Sequence, residues 1–248
     1  MTIVSLIPAR AGSKRVAKKN IKYLLDYPLI AYSIVTSLLC PEIEATYVST
    51  DSIEIAYQSL YFGAEVPFIR PSKYAQDKST DYDVIIHFLE EYKNNTHHYP
   101  DYIVHLRPTT PLRNPIIISK AINSIKNGVT SLRSVEPLPE AIEKTFKIKN
   151  NILSSPYLNI SNEPNQSFET SYSANGYVDI LKVDTILNYK NIHGDKIQAF
   201  ETEKTVEIDN NEDFDYAEFL IHKKGNEIYE FLKKKGEYLF KNKADIIL

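Results

Sequence analysis

The sequence predicts an α/β fold built on a mostly parallel sheet, and three observations support that reading. Short β-branched runs alternate with amphipathic helical stretches over the first half of the 248 residues. Alternation of this kind implies right-handed βαβ crossovers, which lay successive strands side by side in one direction. Apolar residues make up 43% and charged residues 25% of the chain, near globular averages. A chain of this length buries roughly 70 to 75% of its unfolded surface, enough for one large domain or a domain with an insertion.

Residues 2–7 form an apolar, β-branched run ended by Pro8, which predicts a buried first strand running into a loop. A helix follows from Pro28, with Leu29, Ile30, Ile34, Val35 and Leu38 on its apolar face and an end before Pro41. Residues 46–50 and 65–69 repeat the strand pattern around a helix over 52–62 that Gly63 ends. Helices over 81–93 and 115–127 flank a strand over 102–107. Between residues 133 and 173 the alternation stops, and Pro137, Pro139, Pro156 and Pro164 with several Asn and Ser mark an excursion from the sheet. Strands over 177–183 and 204–208 resume, then a helix over 213–222. The Lys-rich tail from 227 to 248 predicts a solvated amphipathic helix. The expected division is a core of 1–132 and 174–225, an excursion of 133–173 and a helical tail of 226–248.

A net charge of −3 excludes binding driven by overall basicity, so no nucleic-acid partner is expected and any phosphate contact must come from a local cluster. The single cysteine, Cys40, excludes a disulfide framework or a cysteine zinc site and suggests a reducing compartment. The N-terminus has no basic region before a cleavage pattern, and no apolar run reaches membrane length. A soluble, cytoplasmic protein with no membrane partner is the expectation. His87 on a helix and His105 in a strand are expected to be structural.

Arginine placement is informative because only six of the 29 basic residues are arginine. Five of the six fall in presumed loops after strands: Arg10 and Arg15, Arg70, Arg107 and Arg113. The carboxyl ends of strands form the ligand crevice of an open α/β sheet, and arginine holds phosphate bidentately, so a shared anion site is expected. In the first loop Ala9, Ala11 and Gly12 leave room for backbone N–H groups beside Ser13, while Arg10, Lys14 and Lys19 supply charge ahead of Asn20. Such a loop suits a triphosphate; its other reading is a basic surface turn. It is neither a P-loop nor a dinucleotide-binding glycine motif.

The loop resembles the P-A-R-x-G-S-K…K-N signature of the CMP-sugar synthetases, cytidylyltransferases that activate acidic keto sugars. Three further segments are similar to that family in the same order. They are the run from Arg70 through Asp77, Ser79 and Thr80 to His87, the run Arg107-Pro108-Thr109-Thr110-Pro111-Leu112-Arg113, and Asn175-Gly176 followed by Glu207-Ile208-Asp209. The resemblance spans about residues 2 to 222. It implies a Rossmann-like nucleotidyltransferase core of the GT-A type with a dimerisation excursion, hence a homodimer.

Carried over residue by residue, the resemblance makes Ala9, Arg10, Ala11, Gly12, Ser13, Lys14, Lys19 and Asn20 the triphosphate and ribose contacts. Arg70, Ser79 and Thr80 would meet the nucleotide, with Arg70 and Ser79 on cytosine. Arg107, Thr109, Asn175 and Gly176 would meet the sugar, and Lys144 would reach a neighbouring subunit's site. Glu207 and Asp209 would hold Mg²⁺ or Mn²⁺, and Arg10, Lys19 and Asp209 would be catalytic, with CTP and the acidic sugar as substrates.

The chemistry is coherent by itself. A hydroxyl attacking the α-phosphate of CTP needs cations on the non-bridging oxygens and on the leaving pyrophosphate. Alternate strand residues share a face, which lets Glu207 and Asp209 converge on one ion; otherwise they are two exposed acids. The chain departs from most sialate-type members, which have glutamine at Arg107, an acid of aspartate length at Glu207 and a basic residue at Asn165. Two Asp-x-Asp triplets, Asp81-Tyr82-Asp83 and Asp213-Phe214-Asp215, would suit a nucleotide-sugar glycosyltransferase, but both open predicted helices, where aspartate caps. A glycosyltransferase and a non-catalytic nucleotide-binding protein are the alternative readings.

Overall fold

A computed structural model describes residues 1–241 of the chain. The first half follows the expected alternation: β1 (Ile3–Pro8), a small hairpin of β2 (Tyr23–Leu24) and β3 (Tyr27–Pro28), α1 (Leu29–Leu38), β4 (Ala45–Ser49), α2 (Ile53–Tyr61), α3 (Asp81–Thr96), β5 (Tyr102–His105) and α4 (Pro115–Asn123). The second half holds β6 (Ser131–Pro137), a hairpin of β7 (Lys147–Lys149) and β8 (Ile152–Ser154), β9 (Tyr172–Lys182), α5 (Val183–Tyr189), β10 (Ile197–Glu201), α6 (Asn211–Lys224) and α7 (Glu227–Lys241). Residues 242–248 of the expected tail helix lie outside the described residues. No described helix is long and apolar enough to cross a membrane.

The main sheet has six strands in the order β10-β6-β9-β5-β1-β4. β4, β1 and β5 are parallel, as are β10 and β6, and β9 runs antiparallel between β5 and β6. β6 and β9 therefore act as the legs of one long excursion, and the sheet is mostly parallel as expected. Alternation along β1 sends Ile3 and Ile7 to one face and Val4 and Leu6 to the other. The first face packs Ile30 and Ile34 of α1 and Ile118 and Ile122 of α4, and the second packs Ile85 and Phe88 of α3 and Ile186 of α5. The far side of α1, through Leu29, Tyr32 and Val35, is covered by Phe214 and Ile221 of α6 and Ile228 and Leu232 of α7.

Helix starts follow local chemistry. Ser52 caps α2 by accepting from the Ile55 N–H, Asn114 caps α4 with Pro115 at the first position, and Thr80 with Asp83 and Asn210 with Asp213 close capping boxes. The two Asp-x-Asp triplets thus sit at helix starts.

The structure corrects four elements of the sequence reading. Residues 65–69 form no strand: Glu65 makes one isolated bridge to Tyr47, and Pro67 two residues later has no N–H to continue a ladder. Residues 204–208 are extended but unpaired in the sheet; Val206 and Ile208 are buried, so the alternation marked burial, not a ladder. The edge strand is β10, half polar and half exposed, which gave little apolar signal. The excursion is shorter than 133–173, because β6 continues to Pro137 and β9 begins at Tyr172. In addition α4 stops at Asn123, and α5 was not anticipated.

Candidate active site

The loop after β1, the segment before α3, the loop after β5 and Asp209 before α6 converge on one cleft of about 440 Å³. Arg10, Ser13, Lys14, Arg15, Lys19, Asn20, Arg70, Ser79, Thr80, Arg107, Thr109 and Asp209 all line it, joining residues up to 199 positions apart. Six of the lining side chains are cationic (Arg10, Lys14, Arg15, Lys19, Arg70, Arg107) against three acids (Asp77, Asp81, Asp209). A protein of net charge −3 therefore focuses positive potential in one concavity.

The first loop is held by its backbone. The Ala9 N–H donates to the Ser49 carbonyl, the Ala11 N–H to Asp51 Oδ1 at 2.8 Å, and Asn20 Nδ2 to the Arg10 carbonyl at 2.9 Å. Its side chains are left for the cleft. Arg10 Nη1 donates to the Gln76 carbonyl at 2.9 Å and lies 3.3 Å from Asp77, which also pairs with Lys14 at 2.5 Å. Arg15 pairs with Asp209 at 2.8 Å, and Lys19 Nζ donates to the Ile208 carbonyl at 2.7 Å with Asp209 at 3.4 Å. These cations pair with two carboxylates, Asp77 and Asp209. Open space surrounds Gly12.

Arg70 is buried at the cleft, and its enclosed Nε has no hydrogen-bond partner among the described residues. Ser79 Oγ accepts from the Gln76 N–H and donates to the Lys73 carbonyl, holding the turn that delivers Thr80 to the start of α3. Thr109 offers its carbonyl to the Ile208 N–H at 2.7 Å, which ties the segment carrying Asp209 to the loop after β5.

Other expected residues lie elsewhere. Ala9, Ala11 and Gly12 shape the loop without lining the cleft, and Glu207 is exposed outside it. Asn175 donates to Thr202 Oγ1 at 2.7 Å and to Glu136 at 3.2 Å; Gly176 has φ +67°, and a Cβ there would approach Thr110 Oγ1 at 3.3 Å. Lys144 ends a 3₁₀ turn in the excursion, and Asn165 accepts from the Ala141 N–H there. Arg113, grouped with the anion-holding arginines by sequence, is instead fully buried and outside the cleft lining. It donates to the Tyr177, Arg107 and Gly176 carbonyls and to Ser33 Oγ.

Sequence reasoning set Asp81 aside as a helix-start residue and missed Asp179. Arg107 Nη2 meets Asp81 at 2.6 Å and Nη1 meets Asp179 at 3.1 Å. A lone acid inside the apolar run Val178-Asp179-Ile180 was the available signal. His105, opposite Asp179 in the ladder, is buried, and its burial with the Arg107 charge pulls its pKa down to about 4.

That depression predicts an acid weakness. Between about pH 6.5 and 4 the unfolded chain takes a proton at His105 that the folded protein refuses. The contribution is full above pH 6.5 and is lost as pH falls toward 4. The melting temperature should fall over that window, and His105→Gln should flatten the fall; an unchanged slope would clear His105 of the effect.

A family model described as cytidylyltransferase matches residues 4–248. The chain is 38% identical over 138 residues to CMP-N,N'-diacetyllegionaminic acid synthase of Legionella pneumophila, covering 56% of this chain and 59% of that protein. It is 28% identical over 239 residues to N-acylneuraminate cytidylyltransferase of Escherichia coli (91% and 53%), and 32% over 152 residues to pseudaminic acid cytidylyltransferase of Campylobacter jejuni (61% and 65%). The chain thus spans little more than half to about two thirds of the length of these relatives. A solved CMP:2-keto-3-deoxy-manno-octonic acid synthetase complexed with CTP superposes with a TM-score of 0.70 at 16% identity, covering 90% of this chain and 99% of that one, and so shares the fold.

Proposed function

The chain belongs to the cytidylyltransferase family, and from that premise we propose that it transfers CMP from CTP to an acidic keto sugar of the sialic, legionaminic or pseudaminic type, releasing pyrophosphate. The observation that carries this reading is the convergence of six cationic side chains and Asp209 on one cleft behind a backbone-anchored loop. The sugar hydroxyl forms a bond to the α-phosphorus as the bond to the β-phosphate oxygen breaks. The hydroxyl proton passes to water, and pyrophosphate carries away the electron pair of the broken phosphorus–oxygen bond. Arg10 and Lys19 face the non-bridging oxygens, Lys14 and Arg15 the leaving group, and Arg70 and Ser79 the cytosine. Arg107 and Thr109 form the sugar-side wall.

Mg²⁺ demands few protein ligands, usually one or two carboxylates with water and substrate phosphates completing six oxygens. No group of three His, Cys, Asp or Glu among the described residues would hold an ion unaided, whereas Asp209 at the cleft fits a metal shared with the triphosphate. Bound there, Mg²⁺ or Mn²⁺ would neutralise phosphate oxygens. Asp209→Asn should raise the Mg²⁺ concentration for half-maximal turnover about tenfold or more. An unchanged titration would remove Asp209 from metal binding.

A homodimer accompanies this reading. The excursion exposes the apolar side chains of Ile142, Phe146, Ile148, Ile152, Leu153 and Leu158, which a second copy would cover. Lys144 in that region would then serve a partner's cleft. A cytoplasmic setting is in keeping with the free, buried Cys40. Incubating the protein with CTP, Mg²⁺ and a panel of acidic keto sugars should yield pyrophosphate and a CMP-sugar. Release of a nucleotide from a CMP-sugar donor, with no pyrophosphate from CTP, would overturn the reading.

A further inference from the structure

Behind the sugar-side wall lies a row of four alternating charges. Asp81, 39% exposed at the cleft, meets Arg107 at 2.6 Å; Arg107 meets Asp179 at 3.1 Å; Asp179 meets Arg133 at 3.4 Å. The strands set this row. Asp179 on β9 is the ladder partner of His105 on β5 and of Arg133 on β6, so the three side chains share one face, and Arg107 lies two residues beyond His105. The Asp179 carboxylate is 1% exposed, while Arg107 is 23% and Arg133 36% exposed. Desolvating a lone carboxylate inside an apolar strand is costly; among the described residues the Arg107 hydrogen bond to Oδ2 and the Arg133 charge 3.4 Å from Oδ1, which accepts no hydrogen bond, offset it.

Two physical consequences follow. An arginine side chain has several rotatable bonds, and anchoring both Nη groups to carboxylates on different elements removes that freedom before substrate arrives. The charges also cancel, two positive against two negative, so Arg107 carries little net attraction for a carboxylate. The Arg107–Asp81 pair presents a fixed donor beside a fixed acceptor, which matches a hydroxyl or an amide.

Resting on the cytidylyl-transfer reading above, we propose that Asp81 and Arg107 form a specificity wall for the sugar's uncharged hydroxyl and acylamino groups, and that buried Asp179 is the positioning residue that holds Arg107 in it. The sugar's carboxylate is bound elsewhere, since this wall is already neutralised. Asp179 never touches substrate and acts only through Arg107.

The test is a double-mutant cycle in the full chain, with KM for an acylamino keto-sugar acid and KM for CTP measured separately by pyrophosphate release. Asp179→Asn should raise the sugar KM about tenfold, as loss of a supporting partner typically does, with the CTP KM within about twofold. Adding Asp179→Asn to Arg107→Gln should raise the sugar KM no further. Arg107→Gln should also narrow the KM gap between that sugar and an acidic keto sugar lacking the acylamino group. A purely structural Asp179 would lower the melting temperature and kcat without separating the two KM values. Effects that multiply in the double variant, a CTP KM that moves with the sugar KM, or an unchanged gap would each overturn the proposal. If Asp179→Asn alone does not fold, Arg107→Gln and the double variant decide it, because half-exposed Arg133 can then turn to water. A wild-type protein that releases no pyrophosphate with any sugar in the panel would sink the function reading, and this proposal with it; an active wild type with an additive cycle would sink this proposal alone.

Discussion

Arg10→Ala is expected to slow pyrophosphate release from CTP about 100-fold at saturating substrate, the scale of deleting one donor that stabilises an oxyanion in a transition state. The side chain can be removed without dismantling the loop. The bonds that anchor this turn run through the Ala9 and Ala11 N–H groups and the Arg10 carbonyl, none of which the substitution touches. What disappears is one cation, together with its contacts to the Gln76 carbonyl and to Asp77. The melting temperature should therefore stay close to wild type while kcat falls. A near-normal kcat would remove Arg10 from the reacting phosphate, and a large loss of thermal stability would mean that the side chain holds the loop after all.

Arg113→Leu is expected to destabilise the fold by about 3 to 5 kcal/mol, the scale of leaving several buried acceptors without their donor. The guanidinium is enclosed, and burial pulls its pKa down to about 9. Four acceptors take a bond from it, the carbonyls of Tyr177, Gly176 and Arg107 and the Ser33 hydroxyl; of these the Arg107 carbonyl keeps a second donor, the Thr110 N–H. Each orphaned acceptor costs on the order of 1 to 3 kcal/mol where water cannot reach it. Against a total stability of about 5 to 15 kcal/mol, the loss is large. Urea unfolding followed by far-ultraviolet circular dichroism measures it; a change below about 1 kcal/mol would show that the clamp is dispensable. Because one of those carbonyls is Arg107's own, activity should fall even in the fraction that remains folded.

These two arginines mark the boundary of what sequence could resolve. Both follow a strand and both were assigned to one anion site, yet one faces the cleft and the other faces three backbone carbonyls. Little within a few residues of either distinguishes them: three of the four partners of Arg113 lie 63 and 64 positions away on β9 and 80 positions away on α1. The same is true of Arg107, whose carboxylate partners are 26 and 72 residues distant. Among the elements, β1 and β5, inside the sheet, were legible because burial on both faces gives a continuous apolar run. β10 was not, since none of its five residues is buried, and 204–208 imitated a strand because Val206 and Ile208 are buried among side chains of α1, α6 and α7 rather than paired.

The alternation from β1 to α4, the cap residues and the basic, small-residue turn after β1 were determined by the sequence alone, because each depends on propensity, periodicity and hydrogen bonds within a few residues. Only the tertiary structure decided which charges meet the cleft and which are spent on one another. Electrostatic pairing and desolvation depend on distance in space, and the sheet sets those distances between residues that the chain keeps far apart.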